Sequence, residues 1–542
     1  MKQKISVWSE IAIPSIRPAL SGDLSADAAV IGGGLAGILT AHYLSEAGLH
    51  TVVLERDRIG SGQTGGTTAK ITSQHGLIYR RIKEQFRVET ARSYAAANQQ
   101  AIEDYASLIH KMDIECDFRR CPAFLYTAGA EDGPALLARE CEAAAELGIP
   151  ASITDKTELP FPVQAALRFD SQACFHPLKF LYAVAAPLEI YEQTAVLRAE
   201  GNRVVTSCGT VTAKHIVFCC HYPFQNMPGY YFMRMHQERS YVIALAPRAG
   251  GSGPAPANPR STEDGRTEPG SLKPEMPETV RPLNNEAVPV GSKAESPAAV
   301  RPETRNPIMN GMYLGIDPDG LSFRSYGQTL LLGGGSHRTG ENRTGGRFAR
   351  LRQSAADYYP QLREAAAWSA QDCIPLDGIP YIGRFSSSTP NWYVATGFQK
   401  WGMTSAMAAA RLITGLIRDG AHPYEAVFSP QRFSLSASGK TLAQEMLHAA
   451  KDLTRRVLAP ARGEVDALPK GHGGVVELNG EKCGVYKDEN GEIFAVSICC
   501  PHLGCQLEWN PDEKSWDCPC HGSRFDYRGR LLDEPAQQDI TD

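Results

Sequence analysis

The sequence predicts an α/β chain built around a parallel sheet, with an α+β portion and a small all-β domain at its C-terminal end. Three observations predict it. The stretch Asp27 to Glu55 reads as strand, Gly-rich turn, helix and strand, and alternating strand and helix patterns recur downstream. From Gly463 onward the text changes to short strands divided by Gly and Asn turns, such as Leu478-Asn479-Gly480 and Asp488-Glu489-Asn490-Gly491. Six of the 14 cysteines (Cys483, Cys499, Cys500, Cys505, Cys518 and Cys520) crowd into the last 60 residues, which suggests a metal centre.

The chain has 542 residues, too many for one core. Its net charge of −5 comes without any Lys/Arg block, so neither nucleic acid nor an anionic membrane is an expected partner. Met1 to Ser9 is polar, and the first apolar stretch, Ala28 to Leu44, is interrupted by four glycines, so no integral membrane segment is expected. The other eight cysteines are scattered through the first 373 residues and read as buried thiols in a reducing compartment. A cytoplasmic location is the expectation.

Residues 248–307 contain 11 prolines and no aromatic side chain, and cannot bury enough surface to fold alone. They read as a disordered insertion in a loop between neighbouring strands, Ser240 to Ala246 and Gly311 to Gly315, or alternatively as a docking segment for a partner. Thr441 to Leu458 has a helical apolar face (Leu442, Met446, Leu453, Val457) ended by Pro460, and is expected to pack between two modules. The boundaries are then 1–435 for the first module, 436–462 for the connection and 463–542 for the β domain.

Gly32-x-Gly34-x-x-Gly37 follows a strand directly. The first glycine permits a tight turn, the second lets backbone N–H groups approach a pyrophosphate, and the third lets the helix from Leu35 and Ala36 pack on the strand. The phosphates then face the positive end of that helix. Glu55 closes the next strand at the distance the fingerprint requires, and is expected to accept from a ribose hydroxyl.

Beyond Glu55 come Arg56, the run Gly60 to Lys70 with Thr67 and Thr68, and far downstream Asp377 to Gly383, Trp392 to Phe398 and Gly402-Met403-Thr404. From Asp27 to Gly420 this pattern resembles the D-amino-acid-oxidase-like (glycine/sarcosine oxidase-like) flavoproteins. The resemblance implies a Rossmann-like FAD-binding fold, with FAD-binding parts at about 22–95, 175–226 and 365–430 and an α+β substrate domain at about 96–174 and 227–364. It also implies that Leu35, Ala36 and Arg56 contact the cofactor, that Thr67 and Thr68 line the pyrophosphate and flavin, and that Gly402 to Thr404 start a helix touching the flavin ring or ribityl chain. His75, Lys400 and Trp401 border the flavin by the same pattern. Ile216 to His221 departs from the family's small-residue run, and Cys219 and Cys220 read as core thiols. No second Gly-x-Gly-x-x-Gly occurs in a strand–helix–strand context, so electrons are expected from an organic substrate. Candidates for its pocket are Tyr230 to Arg234, Arg239, Tyr241, His337 and Arg338, an Arg being suited to clamp a carboxylate. No catalytic base is assigned.

The C-terminal boxes Cys500-Pro501-His502-Leu503-Gly504-Cys505 and Cys518-Pro519-Cys520-His521-Gly522-Ser523 suit two hairpin tips meeting over a cluster, with two thiolates on one iron and two imidazoles on the other. Zinc takes Cys₂His₂ through different spacings. Cys499 is an alternative first ligand, but Cys500 keeps the Cys-x-His-x-Gly-Cys arrangement intact. The boxes closely resemble Rieske proteins of the cytochrome bc type. That resemblance implies a [2Fe–2S] cluster held by Cys500, Cys518, His502 and His521, a Cys505–Cys520 disulfide, and a Ser523 hydrogen bond to a bridging sulfide. Phe525 replaces the Tyr of high-potential members, which places the potential inside the Rieske window of about −150 to +300 mV but below its top.

Together these readings predict a flavin-dependent oxidoreductase. It takes hydride from a small amine or amino acid and relays single electrons through the cluster to an external acceptor, a protein or a quinone. The alternative is an electron-transfer protein whose flavin is reduced by a partner. A Rieske oxygenase needs a mononuclear iron site, for which no close His pair is present.

Overall fold

The computed structural model describes residues 6–11, 14–248, 308–432, 465–478 and 480–541. Most of the segment 248–307 and the whole of Thr441 to Leu458 lie outside them.

The nucleotide side is an eight-stranded sheet. Its centre pairs Leu24–Ile31 in parallel with Thr51–Leu54 on one side and Thr210–Phe218 on the other. The apolar runs Ala28 to Ile31 and Val52 to Leu54 are buried on both faces, as a covered parallel sheet requires. Helix Leu35–Glu46 and the late helix Gly402–Asp419 pack against each other over one face. The first is buried almost all round and lacks a polar stripe, whereas the second exposes Arg411 and Arg418 on its outer side.

A second sheet of nine strands stands beside the first. Its order runs from Leu362–Pro375 through Met235–Pro247, Thr329–Arg338, Ser322–Tyr326, Met312–Gly315, Arg119–Thr127 and Ala165–Cys174 to Lys70–Ile71, and Ala151–Thr154 pairs with Ala165–Cys174 off this path. Two expectations change here. Residues 365–375, assigned to an FAD-binding part, belong to this second sheet, because Leu362–Pro375 pairs along its length with Met235–Pro247. The strands that flank 248–307 share a sheet but are not neighbours. Met312–Gly315 starts beside Arg119–Thr127, and two antiparallel strands then lead back to Met235–Pro247.

The C-terminal module contains only strands and one short 3₁₀ turn among the described residues, in a three-stranded and a four-stranded sheet. Its core is Val475, Tyr486, Val496, Leu507, Trp509, Trp516 and Phe525, closed by cysteines of the two boxes.

Candidate cofactor sites and the surface between them

The glycine turn has the geometry its residues demand. Gly32 has φ +108°, and a Cβ there would stand 2.7 Å from the Cys219 carbonyl oxygen. A Cβ on Gly37 would stand 1.9 Å from the Gly32 oxygen, so only glycine lets the helix reach the turn. Helix Leu35–Glu46 starts at Gly34 without a side-chain cap. Leu35 donates its N–H to Thr64 Oγ1 (3.0 Å) and Ile38 to the Gly34 carbonyl (3.0 Å), which leaves the first-turn amides of Ala36 and Gly37 for a ligand.

Glu55 accepts from Gly33 N–H (2.6 Å) and Asp57 N–H (2.8 Å), and burial pushes its carboxyl upward. Its two oxygens retain lone pairs for a hydroxyl. Arg56 behaves otherwise than expected of a cofactor contact: its guanidinium pairs with Asp57 (3.0 Å) and with Glu534 of the C-terminal module (2.6 Å). The Thr67 carbonyl accepts from Trp8 Nε1 and its hydroxyl from Ala69 N–H, while the Thr68 carbonyl accepts from buried Arg324.

The late helix begins at Gly402, where an added Cβ would meet nothing within 4 Å, so its start faces open space. Met403 gives its carbonyl to Tyr105, and Thr404 Oγ1 lies 3.0 Å from His75 Nε2. His75 also meets Tyr94 and stacks on Trp401 at 4.8 Å. Burial pulls this imidazole down to about 3, so it is neutral. Next to it a cavity of about 500 Å³ is lined by His75, Arg81, Glu238, Ile374, Lys400 and Trp401 among others. Lys400 is held by Asp372 (3.0 Å) and Glu238 (3.8 Å). Cys219 and Cys220 are protein-packed thiols, with Cys219 pushed up to about 12 by burial.

In the C-terminal module the two boxes fold into matching turns. Gly504 donates to the Cys500 carbonyl and Gly522 to that of Cys518, and both glycines are left-handed (φ +79° and +86°). Cys505 and Cys520 are joined by a disulfide that ties the loops together. Cys500 and Cys518 are 1% exposed and share a thiol hydrogen bond. Backbone amides of His502 and Leu503 point at Cys500, and those of Cys520 and His521 at Cys518. Ser523 hydrogen-bonds Cys500 and accepts from Ala536 N–H (2.9 Å). Cys499 instead forms a backbone bridge to Gln506.

The rings of His502 and His521 meet edge to face at 4.9 Å, and the Nδ1 atoms of both are buried without a partner. Two orphaned imidazole nitrogens beside two thiols are the donor set a [2Fe–2S] centre of mixed ligation needs. Burial lowers His502 to about 4 and His521 to about 3, keeping both rings neutral, as ligation requires.

The residues suggested for a substrate pocket lie elsewhere. Arg239 is 3% exposed and bonds Glu513 of the C-terminal module through Nε (3.1 Å) and Nη2 (2.6 Å). Tyr241 contacts His337 and Glu513, and Arg338 donates to the Pro519 carbonyl (3.1 Å). The Phe232 ring stands edge to face against both His502 and His521. These side chains therefore dock the second module. Asn226, Gln237 and Gln371, which sequence reasoning missed, complete the contact. The missed signal was alternation: Gln237, Arg239 and Tyr241 put buried polar atoms on the strand face opposite Glu238, and a buried polar face needs a polar partner.

A nucleotide-binding sheet, a cavity walled by a second sheet and a two-loop Cys/His centre define a flavin-type oxidoreductase module carrying an iron–sulfur module. The comparisons with known proteins agree. The chain belongs to the FAD dependent oxidoreductase (DAO) family, matched over residues 27–416, and residues 460–542 match the Rieske [2Fe-2S] domain. It is therefore an FAD-dependent oxidoreductase with a Rieske [2Fe–2S] domain. It is 34% identical over 538 residues to a putative Rieske 2Fe-2S iron-sulfur protein, YhfW, of Bacillus subtilis, covering 97% of this chain and 94% of that one. It is 27% identical over 212 residues to gamma-glutamylputrescine oxidoreductase of Escherichia coli, covering 36% of this chain and 49% of that one. Glycine oxidase from Geobacillus kaustophilus shares the fold, with TM-score 0.55 and 16% identity over 76% of this chain and 99% of that one. No helix among the described residues is long and apolar enough to cross a membrane.

Proposed function

We propose that this chain oxidises a small amine or amino acid, passing the electrons singly through its Rieske module to an external acceptor, in the cytoplasm. In this reading FAD supplies a hydride acceptor and the cluster a one-electron acceptor. Ala36 and Gly37 N–H groups take the pyrophosphate, Gly32 and Gly34 let it approach, Glu55 takes a ribose hydroxyl, and Thr67, Thr68 and Gly402 to Thr404 flank the flavin. Cys500 and Cys518 hold one iron, and His502 and His521 the other through Nδ1.

The observation that carries the reading is a shared wall. Glu238 and Ile374 line the cavity, and Gln237 and Gln371 on the same two strands hold the Cys/His loops. The cavity volume lies within the range of small-molecule sites, which supports a substrate over a protein reductant. Lys400 is neutralised by Asp372 and Glu238, which leaves Arg81 to orient a polar substrate. His75, fixed by three partners and neutral, shapes the cavity floor without exchanging a proton near neutral pH.

Anaerobic titration with a panel of amines and amino acids, following flavin and cluster absorbance together, tests the reading. At least one compound is expected to bleach the flavin first and the cluster after it. Bleaching by none, with full reduction by a partner protein, would favour the alternative. Iron analysis is expected to give two irons per chain, and His521→Ala to remove the Rieske EPR signal while FAD stays bound. Stoichiometric zinc in place of iron would refute the ligand assignment.

A further inference from the structure

We propose that Trp8 is a positioning residue for the flavin: it holds the Thr67 carbonyl inside the protein, so that the Thr68 N–H on the same peptide faces the flavin ring. This rests on the cofactor placement given under Proposed function.

Five consecutive carbonyls, from Gly65 to Ala69, each accept from a side chain that comes from a distant part of the chain. Ser6 Oγ donates to Gly65 (2.5 Å), Trp368 Nε1 to Gly66 (2.7 Å) and Trp8 Nε1 to Thr67 (2.6 Å). Arg324 Nη1 donates to Thr68 and to Ala69 (3.0 Å). Two glycines in the run would otherwise allow many backbone orientations, and a donor at every carbonyl leaves one.

The donors are themselves fixed. Trp8 is fully buried, lies with its ring 5.2 Å from the Arg324 guanidinium, and meets His176 and Tyr326 edge to face. Arg324 is also fully buried and gives Nη2 to the Phe175 carbonyl (2.8 Å). Trp368 is 3% exposed on the strand Leu362–Pro375.

The peptide between Thr67 and Thr68 is trans, so its N–H points away from its carbonyl. Trp8 fixes the carbonyl, and the N–H is thereby aimed to the opposite side. The amides around it are engaged: Gly65 N–H donates to the Gly62 carbonyl (3.0 Å) and Ala69 N–H to Thr67 Oγ1 (2.9 Å). The Thr68 N–H has no partner among the described residues. It is an oriented donor left for the cofactor.

Reducing a flavin adds negative charge to the ring, and a donor fixed in advance stabilises that charge without reorganising. Trp8 acts on the flavin only through this peptide. Without its indole N–H the Thr67 carbonyl is a buried acceptor with no donor, and the peptide turns to satisfy it.

Trp8→Phe keeps an aromatic ring beside Arg324 and removes the donor. Redox titration of the flavin absorbance is expected to show a lowered flavin potential, with about ten-fold less reduced flavin at the native midpoint, the worth of one such hydrogen bond. Titration of apoprotein with FAD is expected to show weaker binding. Tyr326→Phe keeps its ring against Trp8 and frees no carbonyl, so its flavin potential is expected to be native.

An unchanged potential in Trp8→Phe overturns the proposal. Weaker FAD binding at an unchanged potential overturns it as well, because the N–H would then serve the pyrophosphate. So does an equal fall in Tyr326→Phe, which would mark a general loosening of the core. If Trp8→Phe does not fold, Trp368→Phe decides alone: it frees the carbonyl one peptide upstream, and an unchanged potential there overturns the proposal. Native protein that binds no FAD overturns the underlying reading.

Discussion

The Gly37→Val variant is expected to be recovered without FAD and with a lowered melting temperature. The Cβ alone would stand 1.9 Å from the Gly32 carbonyl oxygen, and that oxygen belongs to the backbone of the phosphate turn. The helix must lift from the turn to make room, which costs about 3 kcal/mol or more. The lift also moves the first-turn amides away from the position a pyrophosphate occupies. Gly129→Ala is the control, because its Cβ would meet nothing within 4 Å and it lies outside the phosphate turn. Stoichiometric FAD in Gly37→Val, measured by absorbance after heat release, would mean that this turn does not seat the cofactor.

Arg239→Ala is expected to cost about 3 kcal/mol, the low end for breaking a buried ion pair, because it removes one of the two cations that hold the buried carboxylate of Glu513. Glu513 is held between Arg239 and Arg524, and receives a further hydrogen bond from Ser369. Calorimetry should show one cooperative transition splitting into two, with the Rieske module melting first. A double variant, Arg239→Met with Glu513→Gln, should recover much of the loss, since it removes both charges together.

The same pair sets an acid limit. Burial opposes ionisation of Glu513, but Arg239 and Arg524 outweigh it and hold the carboxyl well below its ordinary 4.5. A depressed carboxyl contributes stability that is complete above its unfolded-state value and lost as pH falls through the range below it. Docking of the two modules should therefore weaken from about pH 4.5 downward. A single melting transition unchanged between pH 6 and pH 3 would remove Glu513 from this role.

Phe525→Tyr bears on the cluster potential. Phe525 is fully buried in the core that closes on the cluster cysteines. A phenolic donor added there is expected to raise the potential by stabilising the extra negative charge of the reduced state. Redox titration followed by EPR measures it, and a fall would place the ring away from the ligand sulfurs.

The sequence by itself determined both cofactor chemistries. Gly32, Gly34, Gly37 and Glu55 act within one strand–helix–strand unit, where spacing along the chain fixes spacing in space. Cys500 to Cys505 and Cys518 to Ser523 are likewise two short turns, so residue types and intervals carried the information. Tertiary structure alone decided what joins them. Arg239, Tyr241 and Arg338 look like a substrate clamp because a lone Arg on a strand has no marked partner in sequence. Their partners, Glu513 and the Pro519 carbonyl, lie about 180–270 residues away. Asn226, Gln237 and Gln371 come from three separate stretches and meet His502 and the 521–522 backbone only when the second sheet forms. A strand's alternation says which residues share a face, but only the packing of another layer says what that face touches.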